Sequence, residues 1–589
     1  MGAGQPQFVF RSHLLRQAAA RLALRDGRRV EAVATFAAVV LAMAALLLLL
    51  SSEVMCLGVA MDTVRLLRAF DYDENNLVGM LLRNLQHGNL DPKSNLYPHG
   101  FYDYGQVYQS IAYGLIRLFE GLGFGRTVYL IAFALRFVSL AAGVLAGLLM
   151  YRVQRRLGTP AAIALLAAIA LVGSPNFSAS SVWIHPDVLQ AAAILAAMAC
   201  LLGTYSIRRV FAAAALAGAA FGVKYGGIFV LPALAAWVVL GELSRRADGK
   251  ATPARLALRV ALLAGGVVGA FSAAWLLTNP YVLPDWRSFI HTLEWRHRHV
   301  ERGHFGAESS NPLAWLDVFS ADFSLVGVAV FVVGVALSGQ WLFDRGRAPH
   351  GTFFARLRVF SRSPRRRYVT VLAVFCLTTF GFLAEDVNMR RMRYAFVVLP
   401  VAIALSAFGI GRGISKLRRG EWRGFALAML SASIVLMVVN TVRANANLAN
   451  RWFDPRIEVG DWLANTYPPE TTILSDEYSY IPVRFTKPRF EMGVDKSDVQ
   501  KRHAQLVVLS EQANGRFCWK RPGTRFAELK LVCSGLDGVK GYRAFQRWLA
   551  SPASGYAVVH EQPCCVVLEH QTTPPPAPGP DPDDVSHEN

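Results

Sequence analysis

Along the chain, long apolar runs alternate with short polar links, and the runs have the length of a membrane crossing. The first, Ala32 to Leu50, follows a basic start holding Arg11, Arg16, Arg21, Arg25, Arg28 and Arg29. At about 1.5 Å per residue such a run covers the hydrocarbon of a bilayer. Ser51-Ser52-Glu53 behind it is a poor cleavage site, so the run reads as an uncleaved anchor and not as a secretory signal. Further spans are predicted at Leu130–Met150, Ala161–Val172, Val188–Leu202, Val210–Val223, Gly226–Leu240, Leu256–Leu277, Leu325–Phe343, Tyr368–Ala384, Tyr394–Ile410 and Gly424–Val442, about eleven in all. The run 210–223 is short for a full crossing and reads as tilted or partly re-entrant.

From Arg443 to His570 the period changes. Short strand-like segments, Thr471–Ser475 and Leu506–Ser510 among them, are interleaved with helix-like pieces such as Arg456–Asn465, the mark of a small α/β domain. Gln571–Asn589, rich in Pro and Asp, reads as disordered. The predicted organisation is a basic N-terminus over 1–31, a helical membrane domain over 32–442 with long loops at 58–126 and 279–322, an α/β domain over 443–570 and a tail over 571–589.

Composition agrees: 53% of the 589 residues are hydrophobic, and the mean hydropathy is +0.32, too apolar for a soluble chain of this size. The net charge of +20 would suggest nucleic acid in a soluble protein. Here the basic residues sit in short links, around Arg152–Arg156, Arg208-Arg209, Arg245-Arg246, Arg345–Arg367 and Arg412–Arg423, all on the N-terminal side of the count. The positive-inside rule makes that side the cytoplasm and the α/β domain extracytoplasmic, and nucleic-acid binding is discounted. Of the seven cysteines, Cys56, Cys200 and Cys376 lie in or beside apolar runs. Cys518, Cys533, Cys564 and Cys565, on the outer side, permit disulfides without fixing the pairing.

With that topology, the outer loops hold ionisable residues that folding alone does not require. Asp71, Asp73 and Glu74 follow the first span, and a carboxylate near the membrane surface suits abstraction of a proton from a sugar hydroxyl. The plainer reading is a helix start decorated with acids. Tyr97, Phe101, Tyr102, Tyr104 and Tyr108 supply rings for sugar faces or for the headgroup level. His185-Pro186-Asp187 stands at the outer start of a span, where an acid is also ordinary capping. Lys224 precedes Tyr225-Gly226-Gly227 at a break between apolar runs, where an ammonium either meets a headgroup or snorkels. Arg390, Arg391 and Arg393, beside Tyr394, crowd a short loop on the side that should be poor in arginine, which calls for an anionic partner such as phosphate.

In the loop after Asn279, Trp286, Phe289, Ile290 and Leu293 recur at helical spacing, as in a helix lying in the interface. Its histidines do not read as a metal site, because His297 and His299 face different ways on a helix, and Glu294 with Arg298 and His297 with Glu301 form i,i+4 pairs. Arg136, about two turns into a span, needs a partner or a wet cavity.

In this order the features resemble the polyprenyl-phosphate-dependent glycosyltransferases of the GT-C superfamily, particularly glycosyltransferase family 39, with its protein O-mannosyltransferases and lipid A aminoarabinose transferase. The resemblance covers about Ala32 to Val442 and rests chiefly on Asp73-Glu74, with Arg136, Asp187, Lys224 before glycine, and Arg393-Tyr394 ahead of Pro400. Tyr97-Pro98-His99-Gly100 stands where many relatives have a double proline, His185-Pro186 replaces the usual context of the second carboxylate, and there is no Trp-Trp-Asp motif.

The resemblance implies a monosaccharide transfer from a polyprenyl-phosphate carrier to a lipid, glycan or protein of the envelope, on the outer face of the cytoplasmic membrane. It implies inversion with no metal and no cofactor, the lipid-linked sugar being a substrate. Asp73, with Glu74, would be the base. Lys224, Arg390, Arg391 and Arg393 would bind the donor phosphate, Asp71, Tyr102, His185, Asp187 and Tyr394 would orient sugar or acceptor, and Arg136 would support the carboxylate loop. The competing class is a transporter or flippase of a lipid-linked sugar, which tends to show repeated halves and midplane charges. No repeat is evident here, and the charges gather at one face. A cysteine placed at Glu470 is expected to react with a membrane-impermeant thiol reagent from outside intact cells, and one at Gly346 to stay unlabelled; the reverse labelling inverts the topology.

Overall fold

In a computed structural model the chain divides into compact units 1–52 and 53–589. All described residues fall in the second: 72–91, 102, 104–246, 252–302, 312–343, 362–387, 392–417, 430–432, 435, 439, 455–476, 479–482, 484–486, 488–491, 499–501, 504–510, 547–549, 551–562 and 565–571. The first predicted span, nearly all of Gly424–Val442 and of the tail, and Asp71, Arg390 and Arg391 lie outside them.

The helices are α1 (Tyr72–His87), α2 (Val107–Gly121), α3 (Val128–Leu157), α4 (Ala161–Val172), α5 (Pro175–Val182), α6 (Asp187–Cys200), α7 (Ile207–Val223), α8 (Val230–Arg246), α9 (Pro253–Thr278), α10 (Trp286–Arg302), α11 (Ala314–Phe343), α12 (Pro364–Glu385), α13 (Met392–Ala395), α14 (Leu399–Lys416) and α15 (Pro455–Thr466). Their ends follow local chemistry. Thr127 caps α3 by accepting from Leu130 N at 3.1 Å, and Gly158, at φ 82°, closes it in the left-handed conformation that glycine adopts without steric cost. Thr252 and Ser363 cap α9 and α12, each followed by proline at the first helical position.

Among the described residues five helices are long and apolar enough to cross a membrane, within α3, 225–245, α9, α11 and α12. The structure changes the prediction in two places. Ala161–Val172 does not stand alone: it is bent by 63° against Pro175–Val182. Asp322, wholly buried on α11, accepts from Asn176 N at 3.3 Å and Asn176 Nδ2 at 2.6 Å, meeting the donors exposed where α5 begins. The predicted run from Tyr394 is also interrupted, with α13 and a turn at 396–398 preceding α14. The 210–223 run is a continuous helix, α7.

Helix contacts rely on small residues, as expected where lipid removes much of the hydrophobic drive between helices. A Cβ on Gly218 of α7 would sit 2.1 Å from Phe271 O of α9, and one on Gly409 of α14 would sit 1.9 Å from Gly334 O of α11. A second cluster, with Leu77, Leu81, Tyr104, Tyr108, Leu135 and Ile184, joins α1, α2 and α3 to the turn before α6.

The C-terminal part contains a five-stranded sheet in the order β2-β1-β3-β5-β4, with β1 at Ile473–Asp476, β2 at Pro488–Glu491, β3 at Leu506–Ser510, β4 at Tyr556–Gln562 and β5 at Cys565–His570. β1 runs parallel to β2 and β3, while β5 is antiparallel to β3 and β4. β1 and β3 are buried at every position, as central strands covered on both faces are. Cys565 is buried at the start of β5, and Cys518, Cys533 and Cys564 lie outside the described residues. Tyr480, just beyond β1, is buried in the α1–α3 cluster, and Ile457 of α15 packs against it.

Gly409→Ala is expected to destabilise the detergent-solubilised protein by about 1–3 kcal/mol, because the new methyl meets backbone that cannot yield. Gly339→Ala on α11, whose Cβ would meet nothing within 4 Å, is expected to leave the unfolding temperature unchanged or slightly raised.

Candidate functional site

The site begins where α7 ends. After Val223 the backbone of Lys224 is extended, at φ −161° and ψ 145°, and a 3-10 turn over Tyr225–Phe229 leads into α8. The break frees backbone groups, and the side-chain amide of Gln190 on α6 donates to Lys224 O. It also turns the lysine toward Asp187 at the start of α6, whose Oδ1 accepts from Lys224 Nζ.

Asp187 is 2% exposed, and its other oxygen faces His185 Nδ1. The opposite ring nitrogen, His185 Nε2, lies 3.2 Å from Arg393 Nη1 on α13. Arginine can only donate, so Nε2 accepts and the proton sits on Nδ1, where it is given to Asp187. Lys224, Asp187, His185 and Arg393 thus form one linked row drawn from three separate segments.

Aromatic faces complete it. Lys224 Nζ and Arg393 Cζ both lie over the Tyr394 ring, at 5.3 and 5.5 Å from its centre. Lys224 Nζ also lies 5.5 Å from the centre of Tyr104, which is shared at 5.6 Å by Arg296 of α10. Ring faces attract cations without neutralising them as a carboxylate does. Three cations therefore converge, from the break after α7, from α13 and from α10.

Tyr102 and the residues 104–106 are fastened over this end. Gly105 N donates to Val223 O at 3.0 Å and Gln106 N to Asn279 Oδ1 at 2.7 Å. A Cβ on Gly105 would sit 1.8 Å from Gly222 O, so only glycine allows that approach. The buried Tyr102 donates its hydroxyl to Asp285 Oδ2 at 2.9 Å, and its carbonyl accepts from Tyr225 OH. Burial, then the bond to Asp285, pushes the Tyr102 phenol above its ordinary range, so it stays a donor. Its hydroxyl is thus engaged with the start of α10, and it joins two loops where the sequence suggested contact with sugar or acceptor.

Asp73 and Glu74 lie in the first turn of α1; their side chains fall outside the described residues. Leu77, one turn later, packs in the cluster that holds Tyr104 and Ile184, the neighbour of His185. Arg136 is buried on α3 at 2% exposure. One turn on, Ser139 Oγ donates to His185 O at 3.1 Å, and Tyr108 OH donates to Leu135 O at 2.7 Å beside it. The helix read from the sequence in this loop is present as α10, with Phe289 inward and Trp286 and Trp295 exposed. Its pair Glu294 and Arg298 meets differently, Arg298 Nε donating to Glu294 O at 3.3 Å.

Arg296 was not singled out in the sequence. Its only signal is that it shares a helix with the aromatic face, and five other basic side chains between His291 and Arg302 carry the same signal. Asp285, Asn279 and Asp322 were missed as well, each being recognisable only through a distant partner.

A family model described as dolichyl-phosphate-mannose-protein mannosyltransferase matches residues 128–268, from the start of α3 into α9. The matched segment is of the GT-C glycosyltransferase type that the sequence resembles, and it contains Arg136, His185, Asp187 and Lys224. No curated protein matches. Similar solved structures include ArnT from Cupriavidus metallidurans bound to undecaprenyl phosphate, at 12% identity and a TM-score of 0.47, covering 90% of this chain and 98% of that one. The same protein in its apo state gives 14% and 0.46, with 84% and 93% covered. The apo oligosaccharyltransferase of Archaeoglobus fulgidus gives 14% and 0.43, with 82% and 72% covered.

Proposed function

We propose that the chain transfers a single sugar from a polyprenyl-phosphate carrier to a hydroxyl of an envelope lipid, glycan or protein, on the outer face of the cytoplasmic membrane. The observation that carries this reading is the convergence of Lys224 and Arg393 on one ring, Tyr394, at the mouth of a helical bundle. Two cations so placed fit the charge and size of one phosphate. The mannosyltransferase-family match over 128–268 supports sugar transfer as the use to which that phosphate site is put.

The step is an inverting displacement. The acceptor oxygen attacks the anomeric carbon, the bond from that carbon to the phosphate oxygen breaks, and the carrier leaves as its phosphate monoester. Asp73 takes the acceptor proton, with Glu74 and the loop residue Asp71 holding the acceptor, and Arg390 and Arg391 add to the phosphate site beside Arg393. Lys224 and Arg393 stabilise the charge that develops on the leaving group. Arg136, buried next to Leu135 of the cluster that holds α1, supports the carboxylate end. No divalent cation is required in this scheme, because the cations neutralise a monophosphate by themselves.

Asp73→Asn is expected to lower turnover by about 10²- to 10⁴-fold while leaving donor binding near the parent level. If Asp73 only caps a helix, the variant loses about 1 kcal/mol of stability and turns over within a few-fold of the parent. Purified protein assayed with a polyprenyl-phosphate sugar in excess EDTA is expected to retain full activity; loss restored by Mg²⁺ or Mn²⁺ would place a metal on the carboxylates.

A further inference from the structure

We infer that His185 is a positioning residue, whose neutral ring ties Asp187 to Arg393 and so holds Lys224 and Arg393 at a set separation for one phosphate; this rests on reading those cations as the phosphate site. His185 is 3% exposed, which leaves little surface for sugar or acceptor. Both ring nitrogens are occupied, Nδ1 by Asp187 and Nε2 by Arg393. Its backbone is held too, the carbonyl accepting from Ser139 Oγ and the amide donating to Trp183 O at 3.0 Å. The ring stands edge-on to Tyr104, with centroids 5.9 Å apart and planes at 71°, and Tyr104 is the ring over which Lys224 lies. Every degree of freedom of the imidazole is thus fixed by a neighbour, and the two groups it touches lead to the two cations. Asp187 changes role with it: enclosed by Lys224 and His185, it sets the lysine in place and does not reach the sugar.

The two halves of the bridge can be separated. In His185→Asn the amide stands near the position of Nδ1 and keeps the Asp187 half, and in His185→Gln the amide oxygen stands near Nε2 and keeps the Arg393 half. The probe is a polyprenyl monophosphate in detergent micelles, with affinity read from intrinsic tryptophan fluorescence and folding checked by thermal unfolding. His185→Ala is expected to weaken probe binding about ten- to a hundredfold, the range for hydrogen bonds to charged groups. The Asn and Gln variants should lie between it and the parent, so they carry the test if the Ala variant fails to fold.

A double-mutant cycle supplies the readout that a merely structural role would not move. Asp187→Asn and Arg393→Lys should be non-additive in the parent and additive when His185 is Asn or Gln. An additive cycle in the parent overturns the inference while Lys224→Ala still weakens the probe. So does a hundredfold fall in turnover with unchanged probe binding in the Asn and Gln variants, since His185 would then act on the reacting atoms. Probe binding that ignores Lys224→Ala overturns the phosphate reading, and this inference with it.

Discussion

A single buried carboxylate organises the functional end of this bundle. Asp187 heads an apolar helix at 2% exposure, where an ionised group without partners is destabilised by several kcal/mol. Its neighbours offset that cost, and they constrain the chain in turn. For Lys224 to reach Asp187, α7 has to stop at Val223 and the backbone has to extend, which produces the 3-10 turn and the restart at Val230. The carbonyl freed at the break is satisfied by Gln190, from the same helix that Asp187 begins. One charge thus dictates a break, its repair and the entry of the next helix.

The break also shapes what lies above it. Since α7 ends in Gly222-Val223, with Gly218 one turn earlier, α9 can approach closely along its length. The close approach brings Asn279 and Asp285 to Tyr102, Gly105 and Gln106, which bond to Asp285, to the α7 terminus and to Asn279 respectively. Tyr102 and Tyr225 each pack edge to face against Phe289 of α10. Rigidity at the mouth therefore comes from backbone groups that a helix terminus leaves open and that loops from distant parts of the chain close.

How much of this was legible in sequence varies with the range of the interaction. Apolar runs gave α3, α7, α8, α9, α11 and α12, since helix length and hydrophobicity are local properties. Lys224-Tyr225-Gly226-Gly227 announced its break for the same reason. The bend between α4 and α5 was hidden, because Ser174-Pro175 looks like an ordinary link and its anchor, Asp322, lies 146 residues from Asn176. His185, Asp187 and Arg393 were each visible as charges out of place, but not as a connected row, because the His185–Arg393 bond spans 208 positions. Tyr102 was visible only as an aromatic, and its partner Asp285 is 183 positions away.

The way the cations are held bears on the chemistry proposed for them. A sugar phosphodiester carries one negative charge, and the monoester that leaves carries up to two, so a catalyst gains by presenting positive charge that the donor does not fully use. Pairing every cation with its own carboxylate would waste that charge. In the row described here one carboxylate, Asp187, serves Lys224 through one oxygen and a neutral histidine through the other. Arg393 meets the lone pair of that histidine and the Tyr394 face, and Arg296 lies over Tyr104, partners that orient a cation without adding a negative charge of their own. A second carboxylate in place of His185 would orient Arg393 equally well and cancel it. A neutral ring with one donor and one acceptor links Asp187 to Arg393 without adding a negative charge of its own.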